Sequence, residues 1–378
     1  MGQALENHAA AVLRRVRAGE PADAALRAYL SGGRGLREAD RGEVSRAVYA
    51  HCRWAGWLDP KDPLQAQVLG ALELAGRFSR QPSSVKSEAL AARAVPGWLA
   101  SEMDLTPEFL RSLQEEPPIW IRAKVGRAEE LAASLGSSAP AVLPASLVAP
   151  PGFSALRYLG TEDLHRSPHF KSGSFEIQDL SSQLVGHSCQ PGASGTWWDA
   201  CAGEGGKALH LSDLMRNKGL VWATDRSARR LAALKGRAAR AGMFNYRAAA
   251  WTGQGPPPFR TKCDGVLVDA PCSGVGTWRR NPHARWTTSI SDVRELAAVQ
   301  VRLLGHASAS VKPGGRLVYS VCTLTRSETV AVADAFAAEN PAFEPAAITL
   351  AGGASRVTLL PQELDANGMF VAAWTRAR

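Results

Sequence analysis

Short apolar runs alternate with longer stretches of helical pattern from about residue 171 to the end of the sequence. The runs lie at residues 196–199, 220–224, 265–268 and 316–321. A strand that is repeatedly followed by a helix is typical of a parallel sheet with crossover helices. The last run, residues 369–374, alternates like an antiparallel strand added at the edge of a sheet. The sequence therefore predicts an α/β fold over residues 171–378, with a doubly wound and mostly parallel sheet.

The first 170 residues lack this alternation and divide into two further patterns. Up to residue 95, apolar residues recur at i, i+4 spacing, as in Val12 and Val16, which indicates short amphipathic helices. Between residues 96 and 170, a strand pattern at 119–125 precedes a helical pattern, and proline-rich loops interrupt the segment. We predict a helical domain over residues 1–95 and a small α/β module over residues 96–170.

The composition restricts the partners and the surroundings. Lys and Arg number 44 against 35 Asp and Glu, a formal charge of +9 that should attract polyanions such as nucleic acid. Six cysteines without paired spacing fit neither a disulfide framework nor a zinc site, so we expect a cytoplasmic protein without a metal. We expect no membrane partner either, because the sequence has no secretory leader pattern and no apolar run of about 18 residues.

A glycine-rich turn ends one predicted strand and opens a helix. It reads Asp199-Ala200-Cys201-Ala202-Gly203-Glu204-Gly205-Gly206-Lys207. Glycines at such a place let a ligand approach the backbone N–H groups at the start of the helix. Asp225 follows the next strand, 19 residues after Gly206, where an acid can bind ribose hydroxyls. These features imply an adenosine-containing cofactor, with a turn that only reverses the chain as the alternative.

Two cysteines lie directly after predicted strands. Cys272 stands in Asp269-Ala270-Pro271-Cys272-Ser273, and Cys322 follows the run at 316–321. Open α/β sheets bind ligands at the carboxyl ends of their strands, so we expect both thiols and Asp269 at one pocket. The alternative is an ordinary buried cysteine, and we interpret three others in this way: Cys52, Cys189 and Cys263.

These motifs resemble, in the same order and over about 180 residues, those of the Sun/NSUN family of RNA cytosine-5 methyltransferases, in particular its RsmB-like members. The resemblance implies a Rossmann-like class I methyltransferase domain, with S-adenosylmethionine as cofactor. It also implies a NusB-like N-terminal domain and an RRM-like RNA-binding module upstream. The residues that it assigns to cofactor binding are Cys201, Ala202, Gly203, Glu204, Gly205, Gly206, Lys207, Asp225 and Asp269.

The resemblance also assigns the chemistry. Cys322 would add to carbon 6 of cytosine and so enable carbon 5 to accept a methyl group. Asp269 would stabilise the charge that develops on the pyrimidine, and Cys272 would assist release of the methylated base. DNA cytosine methylases take their nucleophile from a Pro-Cys motif, so the second thiol argues for RNA. Ribosomal RNA is the expected substrate, transfer RNA remains open, and the family implies a monomer.

The sequence departs from the family pattern at several positions. Gly203-Glu204 stands where the family has Ala-Pro, and residues 247–251 offer no acid for the cofactor's adenine or ribose. Trp251 could stack on the adenine instead. The tail after the nucleophile reads Arg326-Ser327-Glu328-Thr329 rather than Pro-Glu-Glu-Asn. Both cysteines and Asp269 are retained, so we expect an active enzyme.

Two groups of basic residues have opposite interpretations. Arg279, Arg280 and Arg285 are expected to hold phosphates around a flipped-out cytosine, with a solvated positive loop as the alternative. Six basic residues between Arg226 and Arg240 are interpreted as the solvent face of an amphipathic helix.

Three other functions remain open at this point. A non-catalytic ribosome-assembly factor could keep the same fold and bind RNA through its basic surface. A dehydrogenase-like enzyme is disfavoured, because the chain lacks GxGxxG. A methylase of proteins or small molecules is the third alternative.

Overall fold

The computed structural model describes residues 3–32 and 36–378. Its internal contacts define two compact units. The helical unit comprises Met1–Pro117 and Gly274–Ile290, and the sheet unit comprises Pro118–Ser273 and Ser291–Arg378. In the described part of the chain, no helix is both long and apolar enough to cross a membrane.

Among the described residues up to Pro117, the helical unit contains six α-helices. They are α1 (Gln3–Arg17), α2 (Ala22–Ser31), α3 (Glu38–Trp54), α4 (Leu64–Arg80), α5 (Ser87–Arg93) and α6 (Pro107–Ser112). The apolar faces predicted from i, i+4 spacing pack together, with Val12, Val48 and Val68 fully buried. The helices continue past the predicted boundary at residue 95, because α5 and α6 pack against each other.

Residues 274–290 belong to the helical unit, although the sequence placed them in the α/β domain. Arg285 lies in the short helix α12 (Ala284–Thr287) and is fully buried. Its guanidinium donates to the carbonyls of Arg53 (3.4 Å), Ala94 (2.9 Å) and Leu113 (2.8 Å). These carbonyls lie at the C-terminal ends of α3, α5 and α6, which lack partners within their own helices. One cation therefore satisfies three helix ends.

The sheet unit begins with a small antiparallel sheet of order β2-β3-β1-β4. Its strands are β1 (Ile119–Ala123), β2 (Ser138–Pro140), β3 (Ala155–Tyr158) and β4 (Phe175–Ile177), with α7 (Ala128–Leu135) between β1 and β2. The short helix α8 (Pro168–Lys171) precedes β4, which ends beyond the predicted boundary at residue 170. Arg122 on β1 is buried and donates to Asp213 at 2.6 Å, so this sheet is tied to the larger one.

The large sheet has the order β10-β12-β9-β8-β5-β6-β7, and β11 pairs with β12 outside this path. Its strands are β5 (Thr196–Asp199), β6 (Leu220–Asp225), β7 (Tyr246–Ala250), β8 (Cys263–Asp269), β9 (Val311–Val321), β10 (Phe343–Pro345), β11 (Arg356–Leu359) and β12 (Met369–Arg376). The helices of this region are α9 (Leu180–Cys189), α10 (Gly206–Leu214), α11 (Ala228–Ala241), α13 (Ile290–Ser308), α14 (Val330–Glu339) and α15 (Pro361–Leu364). Strands β5 to β9 are parallel to one another. The core of this unit includes two apolar clusters, one containing Leu184 and the other containing Trp198. The predicted α/β methyltransferase-type fold is confirmed.

The prediction that residues 369–374 form an edge strand is wrong, because β12 does not lie at the edge of the sheet. It pairs antiparallel with β9 on one side and with β10 and β11 on the other. Six successive residues from Met369 to Trp374 are buried, so the alternation in the sequence did not reflect a solvent-facing side. The three-residue strand β10 forms the edge instead.

Candidate active site

The glycine-rich turn connects β5 to α10. Gly205 caps the helix in the left-handed conformation (φ 89°), and an added Cβ would lie 2.7 Å from Leu234 Cγ. Glycine is therefore required there by both backbone and packing. Gly203 is also left-handed (φ 55°), but an added Cβ would meet nothing within 4 Å. The turn is thus packed on one side and open at Gly203, which leaves space for a ligand.

Asp225 ends β6 and contacts this turn. Its Oδ2 accepts from Gly203 N (3.0 Å) and its Oδ1 accepts from Ser227 N (2.7 Å). An ionised carboxylate offers about four acceptor positions. Asp225 therefore fixes the turn and retains acceptor capacity for the hydroxyls that the sequence analysis assigned to it.

Asp199 is the first residue of the glycine-rich turn, but the sequence analysis gave it no role of its own. It is almost completely buried, and neither carboxylate oxygen accepts a hydrogen bond of good geometry from the described residues. Burial, followed by the negative charge of Asp269, raises the pKa of Asp199 to about 8. Such a carboxylate is costly unless a cation neutralises it. The detectable signal was an acid at the end of a buried strand beside a glycine turn.

Lys207 and Asp269 form an ion pair of 2.7 Å in the same region. Asp269 ends β8, and its other oxygen accepts from Ser320 Oγ at 2.8 Å. Burial acts to lower the pKa of Lys207, but the attraction of Asp269 outweighs it and the pKa is raised. Lys207 is therefore held in its charged form and interacts electrostatically with the thiol of Cys322.

The two thiols meet at the carboxyl ends of β8 and β9. These strands are parallel neighbours with Asp269 opposite Ser320, so the residues that follow them reach the same edge. The sulfur atoms of Cys272 and Cys322 are 3.3 Å apart, and both cysteines are half-buried and not joined in a disulfide. The structure thus brings together three residues that the sequence analysis assigned to catalysis: Asp269, Cys272 and Cys322.

Residues 188–375 match the family model described as 16S rRNA methyltransferase RsmB/F. A probable ribosomal RNA small subunit methyltransferase B of Bacillus subtilis is 40% identical over 178 residues, which are 47% of this chain and 40% of that protein. The chain belongs to the RsmB/F family. It spans roughly 40 to 65% of the length of the first curated relatives that it matches.

Solved structures share the fold of this RsmB/F chain. The crystal structure of PH0851 superposes with a TM-score of 0.78 at 22% identity and covers 98% of both chains. NSun6 from Pyrococcus horikoshii, solved with SFG, gives a TM-score of 0.60 at 19% identity, over 72% of this chain and 94% of that one.

The three arginines expected to hold phosphates do not share one environment in this RsmB/F protein. Arg285 is inside the helical unit, and Arg279 is also buried, donating to Glu115 Oε2 (3.0 Å) and Glu116 O (2.9 Å). Both side chains have structural partners and are withdrawn from solvent, so phosphate binding by them is not supported. Arg280 is exposed.

Two further expectations about this site are corrected. Trp251 is buried and packs edge to face on Trp198 at 4.9 Å, so it does not face a cofactor. Arg226, which precedes α11, and Arg229 and Arg230 on α11 are exposed as predicted. However, Arg237 and Arg240 pair with the buried carboxylate of Glu176 on β4. That half of the basic face holds the small sheet rather than facing solvent.

The remaining residues of the turn differ in exposure. Cys201, Gly203 and Gly206 are half-buried, while Ala202, Gly205 and Lys207 are buried. Glu204 is exposed, so its side chain lies outside the buried part of the turn. Within the described residues, no cluster of three or more His, Cys, Asp or Glu could hold a metal ion.

Proposed function

We propose that this protein transfers a methyl group from S-adenosylmethionine to carbon 5 of a cytosine in RNA. The 3.3 Å separation of the Cys272 and Cys322 sulfur atoms, beside the Lys207–Asp269 pair, carries this proposal. Nucleophilic catalysis followed by release needs one thiol that bonds to the base and a second group close enough to act on the adduct. Membership of the RsmB/F family supports RNA as the substrate, with small-subunit ribosomal RNA as the first expectation.

The residues around the turn fit the cofactor. The open space at Gly203 admits a ligand, and Asp225 keeps acceptor capacity for ribose hydroxyls. The unpartnered carboxylate of Asp199 fits a cationic group, such as the ammonium of the cofactor's methionine part. The SFG found with NSun6 is an analogue of S-adenosylmethionine. When bound, the cofactor supplies an activated methyl group.

The protein's own residues account for the steps on the base. The Cys322 thiolate, stabilised by the Lys207 ammonium, forms a bond to carbon 6 of cytosine. Asp269 accepts a hydrogen bond from the exocyclic amine of the cytosine and holds the ring. After carbon 5 has gained the methyl group, its proton passes to Cys272 acting as a thiolate, and the bond from carbon 6 to sulfur breaks and returns Cys322 to the thiolate. Cys272 assists this release from 3.3 Å away.

We further propose that the helical unit and the sheet β2-β3-β1-β4 bind RNA around the target. They would act as the NusB-like domain and the RRM-like module of the sequence analysis. Their positive charges provide the attraction, with the exposed Arg280 as one contact.

Trapping of the covalent adduct tests the reaction. RNA with 5-fluorocytosine at the target should cross-link to the wild-type protein in the presence of S-adenosylmethionine, because fluorine blocks the proton loss that precedes release. Cys322→Ala should give no adduct, and Cys272→Ala should accumulate adduct even on unmodified RNA. Cys263→Ala, which alters a buried cysteine on β8, is the control. Adduct formation by Cys322→Ala would refute the proposal, and methyl transfer without any adduct would refute the covalent route.

A further inference from the structure

Glu328 is a fully buried carboxylate just beyond the thiol site. It ends the short 3-10 turn Arg326–Glu328, six residues after Cys322. Its neighbours within hydrogen-bonding distance are polar groups of the two loops that carry the thiols, together with a side chain of α13. A buried carboxylate is tolerated only when donors surround it, so these contacts explain why it can lie there.

The loop of Cys272 supplies one set of donors. Ser273, the next residue, donates its backbone N–H to Glu328 Oε1 at 2.9 Å and its hydroxyl to Oε2. Gln300 on α13 donates to Glu328 Oε1 (2.9 Å) and to the carbonyl of Pro271 (2.9 Å). The residues on both sides of Cys272 are therefore tied, directly or through Gln300, to this one carboxylate.

The loop of Cys322 supplies the second set. Thr325 Oγ1 donates to Glu328 Oε2 at 2.8 Å, and Thr323 Oγ1 lies 3.3 Å from the same oxygen. Tyr319, near the end of β9, donates its hydroxyl to the backbone carbonyl of Glu328 at 2.6 Å. The two loops also meet directly, because the hydroxyls of Ser273 and Thr323 are 2.9 Å apart.

The carboxylate is the shared acceptor of both loops. Two donors converge on Oε1 and three on Oε2, which fills the acceptor positions of an ionised carboxylate. An ionised acid can only accept, and each of these five partner groups can donate, so charge and geometry agree. A glutamine of the same shape would instead present an NH2 group to some of these donors.

We propose that Glu328 is a positioning residue that holds Cys272 and Cys322 in contact. It does so by fixing the loop after each cysteine to one buried anion, without reaching the substrate itself. Its catalytic consequence rests on the proposed function, because only a reaction that uses both thiols needs their separation to be set. The thiol geometry itself does not depend on that reaction.

The first test uses neither RNA nor cofactor. Phenylarsine oxide binds tightly when its arsenic bridges two neighbouring thiols. Wild-type protein should form a bridge between Cys272 and Cys322, identified by mass spectrometry of the linked peptides. Glu328→Gln should weaken this bridging by roughly tenfold or more, a change of about 1.4 kcal/mol. Alkylation of each thiol by iodoacetamide should persist. Glu339→Gln, an exposed glutamate at the end of α14, should bridge like wild type.

The second test measures methyl transfer per folded molecule. Glu328→Gln should lower kcat on the order of 10²-fold, as displacement of reacting groups by about 1 Å does. The KM for RNA and for S-adenosylmethionine should change little, because Glu328 touches neither. Glu328→Asp keeps the charge and should recover part of both the bridging and kcat. If Glu328→Gln does not fold, Glu328→Asp carries both measurements, with smaller losses expected.

The outcomes separate the two proposals. If wild-type protein does not bridge, the thiols are not neighbours, and both proposals fail. If Glu328→Gln, or the substitute Glu328→Asp, bridges and turns over like wild type, the positioning role is overturned while the proposed function stands. A loss of kcat with normal bridging would also overturn the positioning role, because Glu328 would then affect the reaction without setting the distance between the two thiols.

Discussion

Buried charges occur in both units, but their partners differ in kind. In the helical unit, Arg285 donates hydrogen bonds to three helix-end carbonyls. Arg279 pairs with Glu115 and donates to a backbone carbonyl. At the carboxyl edge of the large sheet, Asp199 accepts no well-formed hydrogen bond from the part of the chain that the structure describes, and Asp225 keeps spare acceptor positions. Satisfied charges indicate a structural role, whereas charges with unused capacity indicate a place for a ligand.

Glu328 shows that this contrast also holds within the sheet unit. It lies close in sequence to Cys322, yet each of its carboxylate oxygens accepts hydrogen bonds from more than one donor. Whether the hydrogen-bonding capacity of a buried charged group is filled therefore separates residues that position the site from residues that act in it. This holds irrespective of their distance from the thiols. The following substitutions test this separation.

Asp269→Asn should give the largest effect. The change removes the negative charge that holds Lys207 and that would bind the pyrimidine. We expect kcat/KM for methyl transfer to fall roughly 10²- to 10³-fold, as for loss of one group that stabilises developing charge. Asp264→Asn removes an exposed carboxylate of β8 that pairs with Lys312, and it should leave activity near wild type. Retention of more than a tenth of the activity by Asp269→Asn would contradict this assignment.

Arg285→Ala should instead reduce stability. Three buried carbonyls lose their donor, and we expect the free energy of unfolding of the helical unit to fall by about 3 kcal/mol. Hydrogen exchange should localise the loss to the ends of α3, α5 and α6. Arg14→Ala, an exposed arginine of α1, is the matched control. Unchanged exchange at these helix ends, combined with weakened RNA binding, would restore the phosphate role for Arg285.

The sequence was sufficient to predict the sheet and the proximity of the two cysteines for the same reason. Alternating strand and helix patterns fix a parallel sheet, and residues that follow neighbouring parallel strands reach one edge. That is why Cys272 and Cys322 could be expected at one pocket. Strand β12 was misplaced because its neighbour β10 has only three residues, too few to give a recognisable pattern.

The missed residues depend on contacts between distant parts of the chain. Arg285 looks like a surface charge until the carbonyls of Arg53, Ala94 and Leu113 surround it, and no local pattern indicates that they will. Glu328 likewise acquires its role from Ser273, which is 55 residues away. Residue type shows which groups can form hydrogen bonds, but tertiary packing determines whether those hydrogen bonds are formed.

Asp199→Asn should affect cofactor binding and pH dependence together. Removal of the carboxylate that would pair with the cationic group of the cofactor should weaken S-adenosylmethionine binding roughly tenfold, about 1.4 kcal/mol, as measured by calorimetry. The folded protein raises the pKa of Asp199 to about 8, so it binds this proton more tightly than the unfolded chain does. Stability of the cofactor-free protein should therefore decrease as the pH rises toward and through 8, and less so in the variant.

The raised pKa of Asp199 also predicts that cofactor binding releases protons. A cation beside Asp199 favours the charged carboxylate, so cofactor binding near pH 7 should release protons in wild type and fewer in Asp199→Asn. Binding enthalpies in buffers of different ionisation enthalpy measure this number. Asp334→Asn, an exposed carboxylate on α14, is the control. Equal proton release by wild type and Asp199→Asn would show that another group titrates.

Arg280→Ala should give the smallest effect and bears on the contrast among the three arginines. Arg280 is exposed while its neighbour Arg279 is buried and paired, so only Arg280 is free to meet a phosphate. Loss of one phosphate contact should lower RNA affinity a few-fold and reduce the slope of log K against log salt by about 1, with unfolding unchanged. Arg279→Ala should leave the salt slope unchanged and destabilise the helical unit. The opposite result would be a reduced salt slope in Arg279→Ala and an unchanged salt slope in Arg280→Ala. Filled hydrogen-bonding capacity would then no longer distinguish structural arginines from arginines that bind RNA.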